Sequence, residues 1–313
     1  MRVIVVGLGI QGNKRRLVAS DDYVASVDSI NASADYKNIH EVPLNDFDAA
    51  LVCTPEEPKI EIINYMLKNN KHVLVEKPLW AKSAQEIEDI QLLANNKNLL
   101  VYTAYNHRFE PHFLRMHNLI KNGALGKIYH CRIFYGNGTA NLVRNSLWRD
   151  KGMGVLPDLG SHILDTLYFW FGIQSDNFFV VSSNCFENRS PDHVIIANKS
   201  VSPTMELEMT LLSWRNHFTC DVFAEKGSAH IYSLCKWGGS CQFIHRTRQF
   251  PSGVPKEEAI TLVQPDPTWS LEYSYFKNSC KEGIKTNLSV DIWLHRVLKK
   301  LENNLAREAT CYQ

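Results

Sequence analysis

The segment Gly152-Met153-Gly154-Val155-Leu156-Pro157-Asp158-Leu159-Gly160-Ser161-His162-Ile163-Leu164-Asp165 places three titratable side chains at helical spacing. The glycines predict a loop and Pro157 suits a first helical turn, so Asp158, His162 and Asp165 fall at i, i+4 and i+7 on one helix face. A neutral imidazole can accept a hydroxyl proton while hydride leaves the same carbon, and nearby carboxylates can orient the ring or raise its pKa. That is the chemistry of alcohol oxidation by a nicotinamide. A lone histidine on a helix is more often structural, so the reading depends on its companions.

The first companion lies in His72-Val73-Leu74-Val75-Glu76-Lys77-Pro78, where a charged pair ends a buried strand. Open α/β sheets bind ligands at the carboxyl ends of their strands. Lys77 there can donate to a substrate hydroxyl and stabilise developing alkoxide charge, with Pro78 stiffening the turn. The alternative is a surface ion pair worth under about 1 kcal/mol. Asp158 and His162 could also share a metal, since i and i+4 ligands face one way. The sequence offers no convincing third ligand and Lys77 would compete with a cation, so no metal is expected.

The second companion is Gly7-Leu8-Gly9-Ile10-Gln11-Gly12, which follows a strand and opens a helix. Gly7 permits the turn, Gly9 lets a pyrophosphate approach the backbone, and Gly12 lets helix and strand pack closely. Phosphate charge then meets the N–H groups and dipole of a helix N-terminus. Asp28 ends the second predicted strand at the distance expected for a ribose-binding carboxylate, where it would repel a 2′-phosphate. This favours NAD over NADP. The alternative for Asp28 is a turn-capping acid.

These residues need a scaffold. The first third alternates short apolar runs with helical patterns, the βαβ signature of a parallel sheet covered on both faces. Strands are predicted at 3–6, 23–27, 49–53, 72–75 and 99–103, a helix over 60–69, and another opened by Ser83 with Glu86 as a capping box. A loop or single turn is expected over 29–46. Asn122-Gly123-Ala124-Leu125-Gly126 reads as a helix stop and turn, after which the period moves towards two, so domains are predicted over 1–122 and 123–313. Strands at 127–134, 178–186, 204–213, 217–224 and 229–233 predict an open, mostly antiparallel sheet with helices on one face. A closing helix is expected over 288–301. The fold class is therefore α/β plus α+β: a doubly wound parallel Rossmann sheet followed by the open sheet domain.

Composition narrows the partners. With 34 basic and 33 acidic side chains the net charge is +1, so no net field recruits nucleic acid or an anionic membrane. Lys14-Arg15-Arg16 is a possible anion site, though a solvated helix face is the commoner outcome of a short charge run. The eight cysteines lack a C-x-x-C pair and several sit in apolar runs, which argues for reduced thiols and a cytoplasmic setting. The run 1–6 reads as a buried strand too short for an export signal, and no stretch reaches membrane-helix length.

Taken together, these motifs resemble the glucose-fructose oxidoreductase, inositol dehydrogenase and MocA family. The resemblance covers nearly the whole chain: the glycine turn at 7–12, Cys53-Thr54-Pro55, Glu76-Lys77-Pro78, Tyr105-Asn106-His107-Arg108-Phe109, Gly123 to Ile128, Asp158 to His162, and Glu225 to Ser228. It implies that Lys77, Asp158 and His162 are catalytic. It also implies that Cys53, Thr54, Pro55, Glu76, Lys77 and Asn106 join Gly7, Gly9, Ile10, Gln11, Gly12 and Asp28 around the cofactor. Arg108, Trp148 and Arg149 match positions where substrate contacts are common, beside Lys77, Asp158 and His162. The segment after Asp28 departs from the family in lacking its usual helix.

The expected activity is NAD-dependent hydride transfer at a sugar, cyclitol or nucleotide-sugar hydroxyl carbon. A catalytically silent dinucleotide sensor, or a reductase of an imine or unsaturated substrate, could use the same fold. Sheet-to-sheet association as a homodimer or homotetramer is expected, covering the face of the second sheet that carries Leu207 and Met209 or their opposite-face neighbours.

Overall fold

The computed structural model describes residues 1–146, 149–172, 175–198, 202–308 and 310–311. The chain forms two compact units, one of residues 1–106 and 268–295, the other of residues 107–267 and 296–313.

The first unit is built on β1 (Val3–Val6), β2 (Tyr23–Val27), β3 (Ala49–Val52), β4 (His72–Glu76) and β5 (Val101–Ala104), parallel throughout in the order β2-β1-β3-β4-β5. Successive residues of β1 serve opposite faces. Ile4 and Val6 pack with Ile62, Ile63, Met66 and Leu67 of α2 (Glu56–Lys68) and with Ile87 and Ile90 of α3 (Ala84–Asn96). Val3 and Val5 pack instead with Tyr273 and Phe276. That second face is closed by α1 (Ile10–Ala19) and the helix Thr268–Glu282, because β2 and β3 are joined only by a short 3₁₀ turn, Ile39–Glu41. The chain thus returns late to complete its first unit. Strand order reverses direction between β1 and β3, and ligand crevices open beside such a reversal at the carboxyl ends of the strands.

The second unit is a sheet of β6 (Ile128–Gly136), β7 (Phe178–Cys185), β8 (His193–Asn198), β9 (Thr204–Thr210), β10 (His217–Ala224), β11 (Gly227–Tyr232), β12 (Ser240–Thr247), β13 (Lys256–Val263) and the two-residue β14 (Thr310–Cys311). The order is β13-β12-β11-β10-β6-β9-β8-β7-β14, antiparallel except between β6 and β9 and between β7 and β14. Its helices are α4 (Pro111–Lys121), α5 (Ala140–Arg144) and α6 (Ser161–Phe171). Trp170 of α6 donates its indole N–H to the Phe113 carbonyl of α4 at 3.0 Å, tying the two together.

Along β9, Met205, Leu207 and Met209 are buried while Glu206 and Glu208 face outward, as the alternation predicts. Leu207 and Met209 are therefore covered by this chain itself. The opposite face carries Arg132 paired with Glu206, and exposed Phe223 and Tyr232.

The compact units do not follow a single cut between residues 122 and 123. α4 lies in the second unit with α6, and residues 268–295 rejoin the first. β8, β12, β13 and the helix Thr268–Glu282 also lie beyond the sequence expectations; β13 is exposed along most of its length and so lacks a core-facing alternation.

Candidate functional site

The glycine turn joins β1 to α1. Gly7 sits at φ +94°, and a Cβ there would lie 2.9 Å from the Cys53 carbonyl, so a side chain fails on both counts. A Cβ on Gly12 would meet the Gly7 carbonyl oxygen at 1.8 Å. Gly9, by contrast, faces open space at the N-cap of α1, where Ile10 and Gln11 are exposed and no acidic side chain occupies the first turn. A helix N-terminus of this kind, open and without an acidic side chain, can seat an anion.

Around it, the Thr54 hydroxyl is buried without a hydrogen-bond partner among the described residues, which suits a bound polar group. Pro55 N-caps α2, and burial together with Glu76 pushes the Cys53 thiol well above its usual range. Asp28 accepts from the Leu8 N–H at 2.7 Å through one oxygen, and from the Ile30 and Asn31 N–H groups at 2.9 and 2.8 Å through the other. Burial opposes its charge, but those backbone donors and Lys37 outweigh it and hold the carboxyl below its ordinary pKa. Asp28 thus caps the turn of residues 28–31, and the oxygen facing Leu8 keeps acceptor capacity.

The end of β4 is held from below. Glu76 accepts from Arg15 Nε at 2.7 Å, and Arg15 also reaches Glu272 at 2.7 Å with Trp269 4.3 Å over its guanidinium. Arg15 is buried, so the expectation of a solvated face for Lys14-Arg15-Arg16 fails at its middle residue. Burial works against its charge and the two glutamates more than offset that. Lys59, on α2, donates to the carbonyls of Glu76 at 2.7 Å and Pro78 at 3.0 Å, either side of Lys77. Burial pushes the Lys59 amine down to about 8. The Lys77–Pro78 bond is cis. Asn106 is buried and donates to the Thr268 hydroxyl at 2.9 Å.

In the second unit, Leu156–Gly160 is a π-helical turn that runs into α6, so Asp158 and His162 do not follow simple α spacing. Such turns redirect side chains and recur at functional sites. Asp158 pairs with Arg149 at 3.3 Å. His162 is buried, and its Nδ1 meets Nδ1 of His107 at 2.6 Å. His107 in turn lies 3.4 Å from the Lys236 ammonium through Nε2.

Asp165, expected beside Asp158 and His162, is fully buried and grips Arg108 through three contacts of 2.6 to 3.1 Å. Burial pushes its carboxyl up and Arg108 opposes this. Arg108, expected as a substrate contact, faces that internal carboxylate. Trp148 lies outside the described residues. Sequence spacing does not reveal His107 and Lys236, which lie 55 and 74 positions from His162. Among the described residues no cluster of three metal-ligating side chains occurs, and no helix is long and apolar enough to cross a membrane.

Comparison with known proteins matches residues 1–105 to "Oxidoreductase family, NAD-binding Rossmann fold" and residues 113–230 to "GFO/IDH/MocA C-terminal domain". The scyllo-inositol 2-dehydrogenase (NADP(+)) IolW of Bacillus subtilis is 28% identical over 190 residues, 55% of this chain and 52% of that protein. The trans-1,2-dihydrobenzene-1,2-diol dehydrogenase of Oryctolagus cuniculus is 23% identical over 272 residues, 87% of this chain and 81% of that protein. A levoglucosan dehydrogenase solved in complex with NADH shares the fold, with a TM-score of 0.80 and 17% identity over 99% of this chain and 98% of that one. This chain spans about half the length of the first curated relatives it matches.

Proposed function

Since the chain belongs to the GFO/IDH/MocA oxidoreductase family, we propose that it is a nicotinamide-dependent dehydrogenase acting on a hydroxyl carbon of a sugar, cyclitol or nucleotide sugar. The observation that carries the reading is His162, a buried imidazole fixed at Nδ1 by another ring, so that its Nε2 side can exchange a substrate proton. Lys77, at the carboxyl end of β4 and flanked by the carbonyls that Lys59 holds, polarises the reacting oxygen. Asp158, in the turn before α6, accepts a hydrogen bond from a substrate hydroxyl, with Arg149 beside it.

The open seat at Gly9 and the unpartnered Thr54 hydroxyl fit a dinucleotide, held also by Gly7, Ile10, Gln11, Gly12, Cys53, Pro55, Glu76 and Asn106. Bound nicotinamide supplies the hydride acceptor. The ionised Asp28 favours NAD, because a 2′-phosphate would meet a carboxylate already held in its charged form. Exposed Phe223 and Tyr232 on the outer face of the second sheet support a homodimer or homotetramer through that face.

The test is a screen of the purified chain with NAD and with NADP against inositols, levoglucosan, free sugars and nucleotide sugars. Turnover with at least one polyol class is expected. Tight NADH binding with no turnover on any class, and no reduction of the matching ketones, would point to a silent dinucleotide sensor instead.

A further inference from the structure

The pairing of two imidazoles through like nitrogens constrains where their protons lie. An Nδ1···Nδ1 contact of 2.6 Å between His107 and His162 holds one proton: one ring donates and the other accepts. A charged Lys236 can only donate, so Nε2 of His107, 3.4 Å away, is an acceptor while the lysine is charged. His107 then carries its proton on Nδ1 and gives it to His162, which must carry its own on Nε2. In that state the working nitrogen of His162 is a proton donor. A neutral Lys236 gains a lone pair and can accept, which permits the reverse order: His107 holds Nε2–H, His162 holds Nδ1–H, and Nε2 of His162 becomes an acceptor.

We propose that His162, His107 and Lys236 form a proton wire whose end at Lys236 sets whether His162 gives or takes the substrate proton. Oxidation starts with Lys236 neutral. The hydroxyl proton passes to His162 Nε2, the His162 Nδ1 proton passes to His107 Nδ1, and the His107 Nε2 proton passes to Lys236. One proton leaves the substrate and one arrives at the amine, the hydride goes to the nicotinamide, and neither ring is left as an imidazolium. Reduction runs the same steps backwards, with the ammonium as the proton source.

The surroundings fit a wire. His107 and His162 are shielded from water, whereas Lys236 is half-buried and can exchange its proton with solvent. Glu110 fixes the lysine's backbone, accepting from the Cys235 and Lys236 N–H groups at 3.0 Å each. Among the described residues, ionisable groups around the pair include Tyr135, whose ring centre is 5.5 Å from that of His107 and 6.4 Å from that of His162, the Arg108–Asp165 pair, Asp158, which acts on Tyr135, and Asp266, which acts on Glu110. Burial, Asp158 and Glu110 push the Tyr135 hydroxyl well above its usual range, so it stays protonated and does not compete for the wire's proton.

The proposal rests on His162 exchanging the substrate proton, but its test needs no substrate. Side-chain ¹⁵N correlation spectra of the labelled chain show which nitrogen of each histidine is protonated, with His107→Gln and His162→Gln serving for assignment. Near neutral pH the spectra should show His107 protonated on Nδ1 and His162 on Nε2. Raising the pH through the lysine's titration should swap both together. Lys236→Arg keeps the positive donor but does not deprotonate, so it should abolish the swap and hold the low-pH arrangement. His162 protonated on Nδ1 near neutral pH, a swap that survives in Lys236→Arg, or rings that change separately would overturn the wire. Loss of turnover in His162→Ala with none of the expected ring behaviour would leave the functional reading standing and remove the wire alone.

Discussion

The ammonium of Lys59 donates to the Glu76 carbonyl at 2.7 Å, gripping the end of β4 one residue before Lys77. A second hydrogen bond to Pro78 closes the grip on the other side. Lys59→Met removes both donors and should let the 76–78 segment drift. Misplacement by about 1 Å can cost on the order of 10²-fold in rate. Turnover should fall by about tenfold to a hundredfold with NADH affinity little changed, and Lys59→Arg should restore part of it. Steady-state kinetics with parallel fluorescence titration would check this.

The same lysine predicts a pH effect on stability. Its folded pKa, about 8, lies below the ordinary lysine value near 10.4, so between the two the unfolded chain binds more protons than the folded one. Stability therefore rises with pH through that window, as the cost of burying a charged amine disappears. Denaturant midpoints of the wild type, measured against Lys59→Met at each pH, should show the wild type gaining from pH 8 upward. A flat difference would contradict the depressed value.

Arg15 ties Glu76 to Glu272, so Arg15→Met would remove the cation shared by two carboxylates, one of them fully buried. Removing one member of a buried charge network costs about 3–5 kcal/mol. Urea unfolding should show a loss of that order, and Glu272→Gln in the Arg15→Met background should recover part of it.

Asp28 should set cofactor choice. NADH is expected to bind more tightly than NADPH, and Asp28→Asn should narrow the gap while leaving the Leu8, Ile30 and Asn31 N–H groups partly served. Fluorescence titration of both cofactors decides it, and tighter NADPH binding by the wild type would contradict the assignment.

Much of the fold was legible because it rests on local signals. The apolar runs of β1 to β4 and the alternation of Met205, Leu207 and Met209 each announce an element from a few adjacent residues, and the glycine turn announces its own geometry. What stayed hidden depends on distant partners. Arg15 reads as one of three basic residues until Glu272 arrives from the other end of the chain. Nothing near Asp165 marks it as Arg108's partner, and nothing in Tyr105-Asn106-His107-Arg108-Phe109 indicates that its histidine will face His162. The helix Thr268–Glu282 is readable as a helix, but its choice of unit is fixed only by the uncovered sheet face that Tyr273 and Phe276 fill.

The central claim is that His162 exchanges the proton of the substrate hydroxyl, and turnover of His162→Ala on the substrate found by screening tests it most directly. A positioned acid or base contributes about 10² to 10⁴ in rate, so turnover should fall by that factor while NADH binds as tightly as before. Wild-type oxidation should also rise with pH, as only a ring able to accept at Nε2 can take the proton. Near-normal turnover of His162→Ala with an unchanged pH profile would contradict the account and move the role to Lys77 or Asp158.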